Sequence, residues 1–180
     1  MAKPKVASDW LAGCAGCHMS LLDIDERIVG LIELVDLRAT PITDFKEPDE
    51  SGVDVGILEG GINNSTNERV AKMMRKRSKI LVALGDCAVF GGVPAMRNFF
   101  TLEETLKRAY VDTPSTDESG KIPSSPELAT MTRVRAVHEV VPVDIFVPGC
   151  PPDADIIFHV LSELAQGRMP DLKNENLMWN

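Results

Sequence analysis

The four cysteines of this chain, Cys14, Cys17, Cys87 and Cys150, are the residues whose chemistry is most informative. Cys14 and Cys17 form a C-x-x-C pair, and the other two stand alone much further along the chain. Four thiolates suit either a tetrahedral zinc ion or an iron–sulfur cluster. Structural zinc sites usually use two close pairs, whereas a cluster is wider and a Cys-Pro step such as Cys150-Pro151 is familiar at cluster sites. The spacing therefore favours a cluster and leaves zinc as the alternative.

Each cysteine is expected to follow the carboxyl end of a predicted strand. The C-x-x-C pair follows a strand over 5–11, Cys87 follows one over 79–85, and Cys150 follows one over 143–147. The carboxyl ends of parallel strands meet at one edge of a sheet, where such folds bind their ligands. The pattern therefore predicts that three separate loops bring the four thiols to one site.

Strands and helices alternate along the chain, which predicts a doubly wound α/β domain whose parallel sheet has helices on both faces. Further strands are expected over 35–39 and 53–58, and helices over 20–34, 65–77, 101–110 and 151–167. Ser20 with Asp23, and Ser65 with Glu68, are read as helix-start signals. Residues 12–20 are expected to form a loop, 112–132 a long surface loop and 170–180 a tail, so that 1–180 is a single domain.

Composition narrows the possible functions. The chain has 180 residues, 44% of them hydrophobic, and a net charge of −8. One domain of this length builds a core without disulfides, and an acidic chain is a poor nucleic-acid binder. The longest apolar stretch, Ile80 to Met96, is interrupted by Asp86, by Pro94 and by glycines, so no membrane span or membrane partner is expected. No signal peptide is recognised, which makes the cytoplasm the expected location.

The cysteines lie in three short segments, which are residues 13–23 (GCAGCHMSLLD), 85–92 (GDCAVFGG) and 147–152 (VPGCPP). These segments resemble those of [NiFe] hydrogenase small subunits. Their order is similar to that in the family that joins these small subunits with the complex I 20 kDa subunit. The resemblance implies a flavodoxin-like fold in which the four cysteines hold one proximal [4Fe–4S] cluster, next to the Ni–Fe site of a separate large subunit.

Within that family the chain is most similar to small subunits of soluble, NAD-reducing hydrogenases. It lacks a fifth cysteine for the further clusters of respiratory small subunits, and Ala15-Gly16 separates two cysteines that are adjacent in the complex I subunit. The resemblance implies an oxidoreductase subunit that relays electrons from the Ni–Fe site to flavin and iron–sulfur diaphorase subunits. The alternatives are a subunit of an F420-linked hydrogenase, a subunit of a complex I-like quinone reductase, and a zinc-stabilised interaction module without a redox role.

Binding of NAD or FMN by this chain itself is not expected. There is no G-x-G-x-x-G motif for a dinucleotide, and Cys14 and Cys17 occupy the first loop, where a flavodoxin-like fold would bind the phosphate of FMN. No residue of the chain is assigned a catalytic role.

Several residues near the cysteines are candidates for cofactor binding. Gly13, Gly16, Gly85 and Gly149 are interpreted as letting the backbone approach the cluster, with ordinary turn glycines as the alternative. His18 is expected either to bond a sulfide or move protons, or to be an ordinary satisfied histidine.

Glu59 follows the strand over 53–58 at the same sheet edge. It is interpreted as a proton acceptor or a hydrogen-bond partner of the C-x-x-C loop, with a helix cap as the alternative. Contacts to the large subunit are expected at Leu21, Phe90, Val93 and Met96.

Overall fold

A computed structural model of the chain describes residues 3–117 and 119–173. The strands are β1 (Lys5–Trp10), β2 (Asp36–Ala39), β3 (Val53–Glu59), β4 (Ile62–Asn64), β5 (Ser78–Leu84), β6 (Met131–Arg135) and β7 (Ile145–Val147). The helices are α1 (Gly16–Leu22), α2 (Arg27–Leu34), α3 (Ser65–Arg77), α4 (Asp86–Phe90), α5 (Gly92–Ala95), α6 (Leu102–Tyr110) and α7 (Ala154–Ala165). Two 3-10 turns cover Met96–Phe99 and Val137–Glu139.

Five strands form a parallel sheet in the order β2-β1-β3-β5-β7. One hydrophobic cluster packs α1, α2 and α7 against one face, and a second packs α3, α4 and the Val137–Glu139 turn against the other. The central strands are rich in Val, Ile and Leu because both of their faces are buried. The predicted doubly wound α/β class is therefore confirmed.

The first helical region differs from the sequence prediction. The chain forms α1 from Gly16 and α2 from Arg27, and between them Asp25 takes a positive φ of 59°. Residues 16–20 are thus helix, not loop. Ser20 is not a cap, because it lies inside α1 and its hydroxyl donates to the carbonyl oxygen of Pro152 at 2.6 Å.

Two other helix starts also differ. Asn64, rather than Ser65, caps α3 by accepting the N–H of Asn67 at 2.8 Å. The last helix begins at Ala154, three residues later than expected, with Asp153 as its cap.

The structure also contains a pairing that the sequence did not indicate. Strands β4 and β6 pair antiparallel outside the main sheet, and β6 takes up the end of the predicted 112–132 loop. Of the predicted tail at 170–180, residues 174–180 lie outside the described part. No helix among the described residues has the length and apolar character needed to cross a bilayer.

Gly56 in the middle of β3 provides a test of the core packing. A β-carbon there would lie 2.1 Å from the Ser78 hydroxyl oxygen, which is buried without a hydrogen-bond partner among the described residues. We expect Gly56→Ala to lower the free energy of unfolding by ~1–3 kcal/mol through overpacking. Ser78→Ala alone should be close to neutral, and adding it should restore part of the loss. Urea unfolding of the three variants measures this, and fully additive costs would contradict the contact.

Candidate functional site

Strand register brings the starting points of the cysteine loops to one level of the sheet. Trp10 of β1 is paired with Glu59 of β3, Glu59 with Leu84 of β5, and Leu84 with Val147 of β7. The loops that leave these four strand ends therefore begin side by side along the carboxyl edge, where parallel α/β sheets place their ligand sites.

The loops that carry Cys87 and Cys150 are hydrogen-bonded to each other. The N–H of Gly85 donates to the carbonyl oxygen of Val147 at 2.7 Å, and the N–H of Asp86 donates to that of Gly149 at 2.9 Å. The Asp86 carboxylate accepts the N–H of Gly149 at 2.7 Å in return. These bonds fix the loops that carry Cys87 and Cys150 relative to one another.

The C-x-x-C segment is attached to its neighbours on both sides. Ala12 and Gly61 exchange backbone hydrogen bonds of 2.9 and 2.8 Å. These bonds connect the residues that follow β1 to the residues that follow β3. The bond from Ser20 to Pro152 joins α1 to the loop that follows Cys150. Hydrogen bonds to backbone groups thus connect the three cysteine-bearing segments to one another.

Glycines allow the close approach of the sulfurs to this framework. A β-carbon on Gly85, where φ is 83°, would lie 2.2 Å from the sulfur of Cys17. A β-carbon on Gly16 would lie 3.1 Å from the sulfur of Cys14, and one on Gly92 would lie 3.0 Å from that of Cys87. Gly92 was not singled out from the sequence as a site residue, because a glycine pair in a loop does not reveal what it packs against.

The other two predicted glycines have backbone neighbours. A β-carbon on Gly149 would lie 2.5 Å from the α-carbon of Pro152, and one on Gly13 would lie 3.4 Å from the α-carbon of Gly60. Gly149 has a positive φ of 135°. These two glycines therefore allow close backbone packing in the loops that carry Cys14 and Cys150, and their predicted role near a cluster stays a prediction.

The four thiols influence one another electrostatically. Burial raises the pKa of the Cys17 thiol, and the negative charges of Glu59 and of the other three cysteines raise it further. Burial also raises the pKa of Cys87; the Val93 N–H opposes this, and Cys150 and Cys14 add to it. A cationic metal centre would remove this penalty by stabilising the thiolates. The donor set therefore fits a thiolate-bound metal group.

The burial of the four cysteines differs along the sheet edge. Within residues 3–117 and 119–173, no three His, Cys, Asp or Glu side chains lie close enough together to hold one metal ion. Cys14 and Cys150 are exposed, Cys87 is half-buried and Cys17 is buried. The four thiols therefore differ in exposure along the sheet edge, from the buried Cys17 to the exposed Cys14 and Cys150.

Glu59 is the buried acid that holds the start of α1. Its carboxylate accepts the N–H of Cys17 at 3.3 Å and that of His18 at 2.9 Å, and it also bonds Nδ1 of the His18 ring. These are N–H groups of the first helical turn, so Glu59 acts as the helix cap. Burial acts to raise the pKa of Glu59, but the hydrogen bonds from His18 and Cys17 outweigh it and hold the pKa below its usual value.

His18 lies within this network. Nε2 of its ring is 3.0 Å from the hydroxyl of Ser8, and its ring packs edge-on against Trp10. Both ring nitrogens are therefore engaged, one by Glu59 and one by Ser8. These contacts give His18 a positioning role beside Cys17, and its predicted contact with a cofactor stays a prediction.

Large apolar side chains are exposed after α4, close to Cys87. We define the aromatic surface as Phe90, Val93, Met96, Phe99 and Phe100, which are between 53% and 85% exposed. The sequence predicts Phe90, Val93 and Met96 as contacts of the large subunit, and this stays a prediction; Phe99 and Phe100 were not predicted, because an aromatic pair in a sequence resembles core residues. Leu21 does not belong to this surface, because it packs against the cluster beneath α1 and α7.

Comparison with known proteins identifies relatives over most of the chain. The sequence profile of the NADH ubiquinone oxidoreductase 20 kDa subunit family matches residues 14–164, a range that includes all four cysteines. The NAD-reducing hydrogenase HoxS subunit delta of Cupriavidus necator is 44% identical over 173 residues, covering 94% of this chain and 82% of that protein.

A second group of relatives is longer than this chain. A subunit of the F420-non-reducing hydrogenase of Methanothermobacter marburgensis is 37% identical over 97% of this chain, but the match covers only 58% of that protein.

Among solved structures, a chain of an NAD+-reducing [NiFe]-hydrogenase in the H2-reduced state superposes with a TM-score of 0.94 and 38% identity, covering 99% of this chain and all of that one. A [NiFeSe]-hydrogenase chain, with a TM-score of 0.58 and 18% identity, shares the fold.

The Glu59 cap can be tested with an isosteric change. In Glu59→Gln the amide NH2 would face N–H donors, so we expect the free energy of unfolding to fall by ~1–3 kcal/mol. Glu47→Gln is the matched control, because Glu47 is exposed and forms surface ion pairs with Arg69 and Arg77. Glu47→Gln should change the free energy of unfolding by no more than about 0.5 kcal/mol. Equal costs in urea unfolding would show that Glu59 has no special structural role.

Gly85 and Gly167 form a second matched pair. Both have positive φ, but a β-carbon on Gly167 would meet no atom within 4 Å. Each change to Ala should cost ~1–3 kcal/mol through backbone strain. Only Gly85→Ala should also reduce the iron bound per chain after reconstitution, because its methyl group displaces the Cys17 sulfur. Unfolding midpoints measure the backbone strain, and iron analysis measures the displacement of the Cys17 sulfur. Equal iron uptake by both variants would contradict the contact between Gly85 and that sulfur.

Proposed function

The chain belongs to the NADH ubiquinone oxidoreductase 20 kDa subunit family, and on that premise we propose that it relays electrons within a NAD-reducing [NiFe] hydrogenase. It is a hydrogenase subunit of an oxidoreductase complex. In the proposed role the chain receives electrons from the Ni–Fe site of a large subunit and passes them to flavin and iron–sulfur diaphorase subunits. The complex is proposed to work in the cytoplasm.

The observation that carries this proposal is the hydrogen-bonded convergence of the three cysteine segments. We assign Cys14, Cys17, Cys87 and Cys150 as the ligands of one [4Fe–4S] cluster, which would supply a one-electron redox centre. One close pair and two single cysteines on separate loops support a cluster over the zinc alternative, because structural zinc sites usually use two close pairs. Gly16 and Gly85 leave room for the sulfurs of Cys14 and Cys17.

Glu59 and His18 are proposed to position the ligands rather than to react. Their hydrogen bonds fix the first turn of α1, which carries Cys17, so the pair determines where that thiol lies.

The aromatic surface supports a large apolar interface beside the site. Stable complexes of obligate partners bury about 2,000 Å² or more and have an apolar centre. Because the aromatic surface follows directly after the helix of Cys87, we assign it to the large subunit. A short distance between the Ni–Fe site and the thiols would follow from that placement.

The relatives differ in the electron acceptor that their names indicate. Identity of 37% to F420-non-reducing hydrogenase subunits supports a second candidate, in which another acceptor replaces NAD. Those proteins are longer, with 58% of the Methanothermobacter protein matched, whereas the HoxS subunit delta is matched over 82% of its length. We therefore favour the NAD-reducing complex.

The experiment that tests the function uses Cys87→Ala in the purified complex. We expect iron and sulfide to fall below one [4Fe–4S] cluster for this chain, because a ligand from one of the three loops is missing. Hydrogen-driven reduction of NAD should be lost, while NADH-driven dye reduction by the diaphorase subunits should persist because those electrons do not pass through this chain.

Val89→Ala in the same helix serves as the control. Val89 is buried, so its truncation should lower stability but leave the iron content and hydrogen-driven NAD reduction in place. Retention of all four irons and of NAD reduction in Cys87→Ala would overturn the ligand assignment and the relay role together. Full activity with zinc in place of iron would support the interaction module instead.

A further inference from the structure

A second set of exposed apolar side chains lies at the β2 edge of the sheet. We define the acidic–apolar surface as the exposed side chains Val29, Ile32, Leu34, Leu37, Ile42 and Phe45, which belong to α2, β2 and the loop after β2. They are between 47% and 73% exposed, with Phe45 the most exposed of them. Contiguous exposed apolar groups of this kind mark interaction sites on soluble domains.

The same part of the chain carries most of the negative charge. Residues 23–50 contain nine acidic and three basic side chains, a net charge of −6 out of −8 for the whole chain. Of these carboxylates, Glu47 is paired with Arg69 and Arg77 of α3, whereas the exposed Glu33 of α2 stands between the exposed Ile32 and Leu34. A partner for this surface needs an apolar centre and a basic rim, because charge complementarity steers association and excludes surfaces of like charge.

The loop after β2 is built to present its apolar side chains. Thr40 donates its N–H to the carbonyl oxygen of Phe45 at 3.1 Å, and the Thr43 hydroxyl donates to the same oxygen at 3.0 Å. The ammonium group of Lys46 donates to the carbonyl oxygen of Pro41 at 2.7 Å. These bonds hold a compact turn with Ile42 and Phe45 on its outside, so ordering the turn adds little entropic cost to binding.

A cavity opens at this surface. It has a volume of about 220 Å³ and an almost entirely apolar lining, which includes Ile32, Leu37 and Ile42 at the surface and Val6 and Leu31 from the core. An apolar cavity of ~150 Å³ is already large enough to hold a benzene ring. The strongest contacts of protein interfaces are large side chains that fill such pockets, so this cavity suits an apolar or aromatic anchor from a partner.

The acidic–apolar and aromatic surfaces are far enough apart to be occupied together. The first lies at the β2 edge, with α2 packed on the sheet face that α7 covers. The second follows α4, which packs on the opposite face with α3. Strands β2 and β5 are separated by β1 and β3, and each strand adds about 4.8 Å.

We propose that the acidic–apolar surface is the docking site of the subunit that accepts electrons from this chain, a protein that presents an apolar anchor within a basic rim. The proposal rests on the proposed function, since a relay needs one partner on each side. The aromatic surface, beside Arg97 and Arg133, lacks the acidic excess and is assigned to the other partner. The difference in charge lets the two partners distinguish their sites.

Photo-crosslinking in the assembled complex tests the occupant directly. Phe45 is replaced by photoreactive p-benzoylphenylalanine, and in a separate variant Phe99 is replaced in the same way as the matched control. We expect cross-links from position 45 to an electron-accepting subunit, at a peptide flanked by Lys and Arg, and from position 99 to the large subunit. Cross-links from position 45 to the large subunit, to a second copy of this chain or to residues 174–180 would overturn the proposal, as would none.

Charge variants of Glu33 provide the second measurement. Glu33→Lys should lower the association rate of the accepting subunits by roughly tenfold at low salt and should weaken the salt dependence, with Glu33→Gln in between. The large subunit should stay bound in both variants. An unchanged association rate in Glu33→Lys would contradict the docking site.

The cluster content separates failure of this docking site from failure of the proposed function. If the iron and its reduction by hydrogen are intact while docking is unaffected by Glu33→Lys, only the surface assignment fails. If the complex contains no cluster in this chain, the relay itself fails.

Discussion

The buried carboxylate of Glu59 is the interaction on which the geometry of the site depends. It ends the central strand β3 and accepts two N–H groups of the first turn of α1, while the His18 ring and Ser8 complete its surroundings. A buried charge without such partners would cost several kcal/mol, so the carboxylate requires α1 to begin at this point. The position of Cys17 is thereby fixed by a strand 42 residues further along the chain.

The parallel sheet extends this constraint to the other cysteines. Because Glu59, Leu84 and Val147 share one register row, the loops after β5 and β7 start beside the capped helix, and their backbones bond to each other. The fold therefore places the loops that carry the four cysteines side by side at one edge of the sheet. Burial, and after it the neighbouring negative charges, raises the pKa of Cys17 and Cys87, so a cationic group at this position would relieve a penalty on the thiolates that the fold creates.

Local patterns and long-range contacts differ in how well the sequence reveals them. The main strands and the edge that carries the cysteines could be predicted, since apolar runs and chain order are local properties. The start of α1 could not, because its cap comes from Glu59 and not from a neighbouring residue. The β4–β6 pair is too short to give a periodic signal. Likewise, Phe99 and Phe100 have the composition of core residues, and only their exposure of 85% and 67% shows that they face outward.

The two exposed apolar surfaces differ in charge and are proposed to bind different partners in the complex. In the proposed role the domain needs no substrate pocket. It needs two contact surfaces, each of which binds its own partner and not the other one. The β2 edge and the region after α4 supply two such contacts on one small domain, and the uneven charge of residues 23–50 makes them chemically different. Like-charge repulsion would discourage an acidic partner from the β2 edge, while a basic partner would gain nothing at a surface flanked by Arg97 and Arg133. On this reasoning the net charge of −8 reflects partner choice rather than general solubility, since outside residues 23–50 the chain is close to neutral.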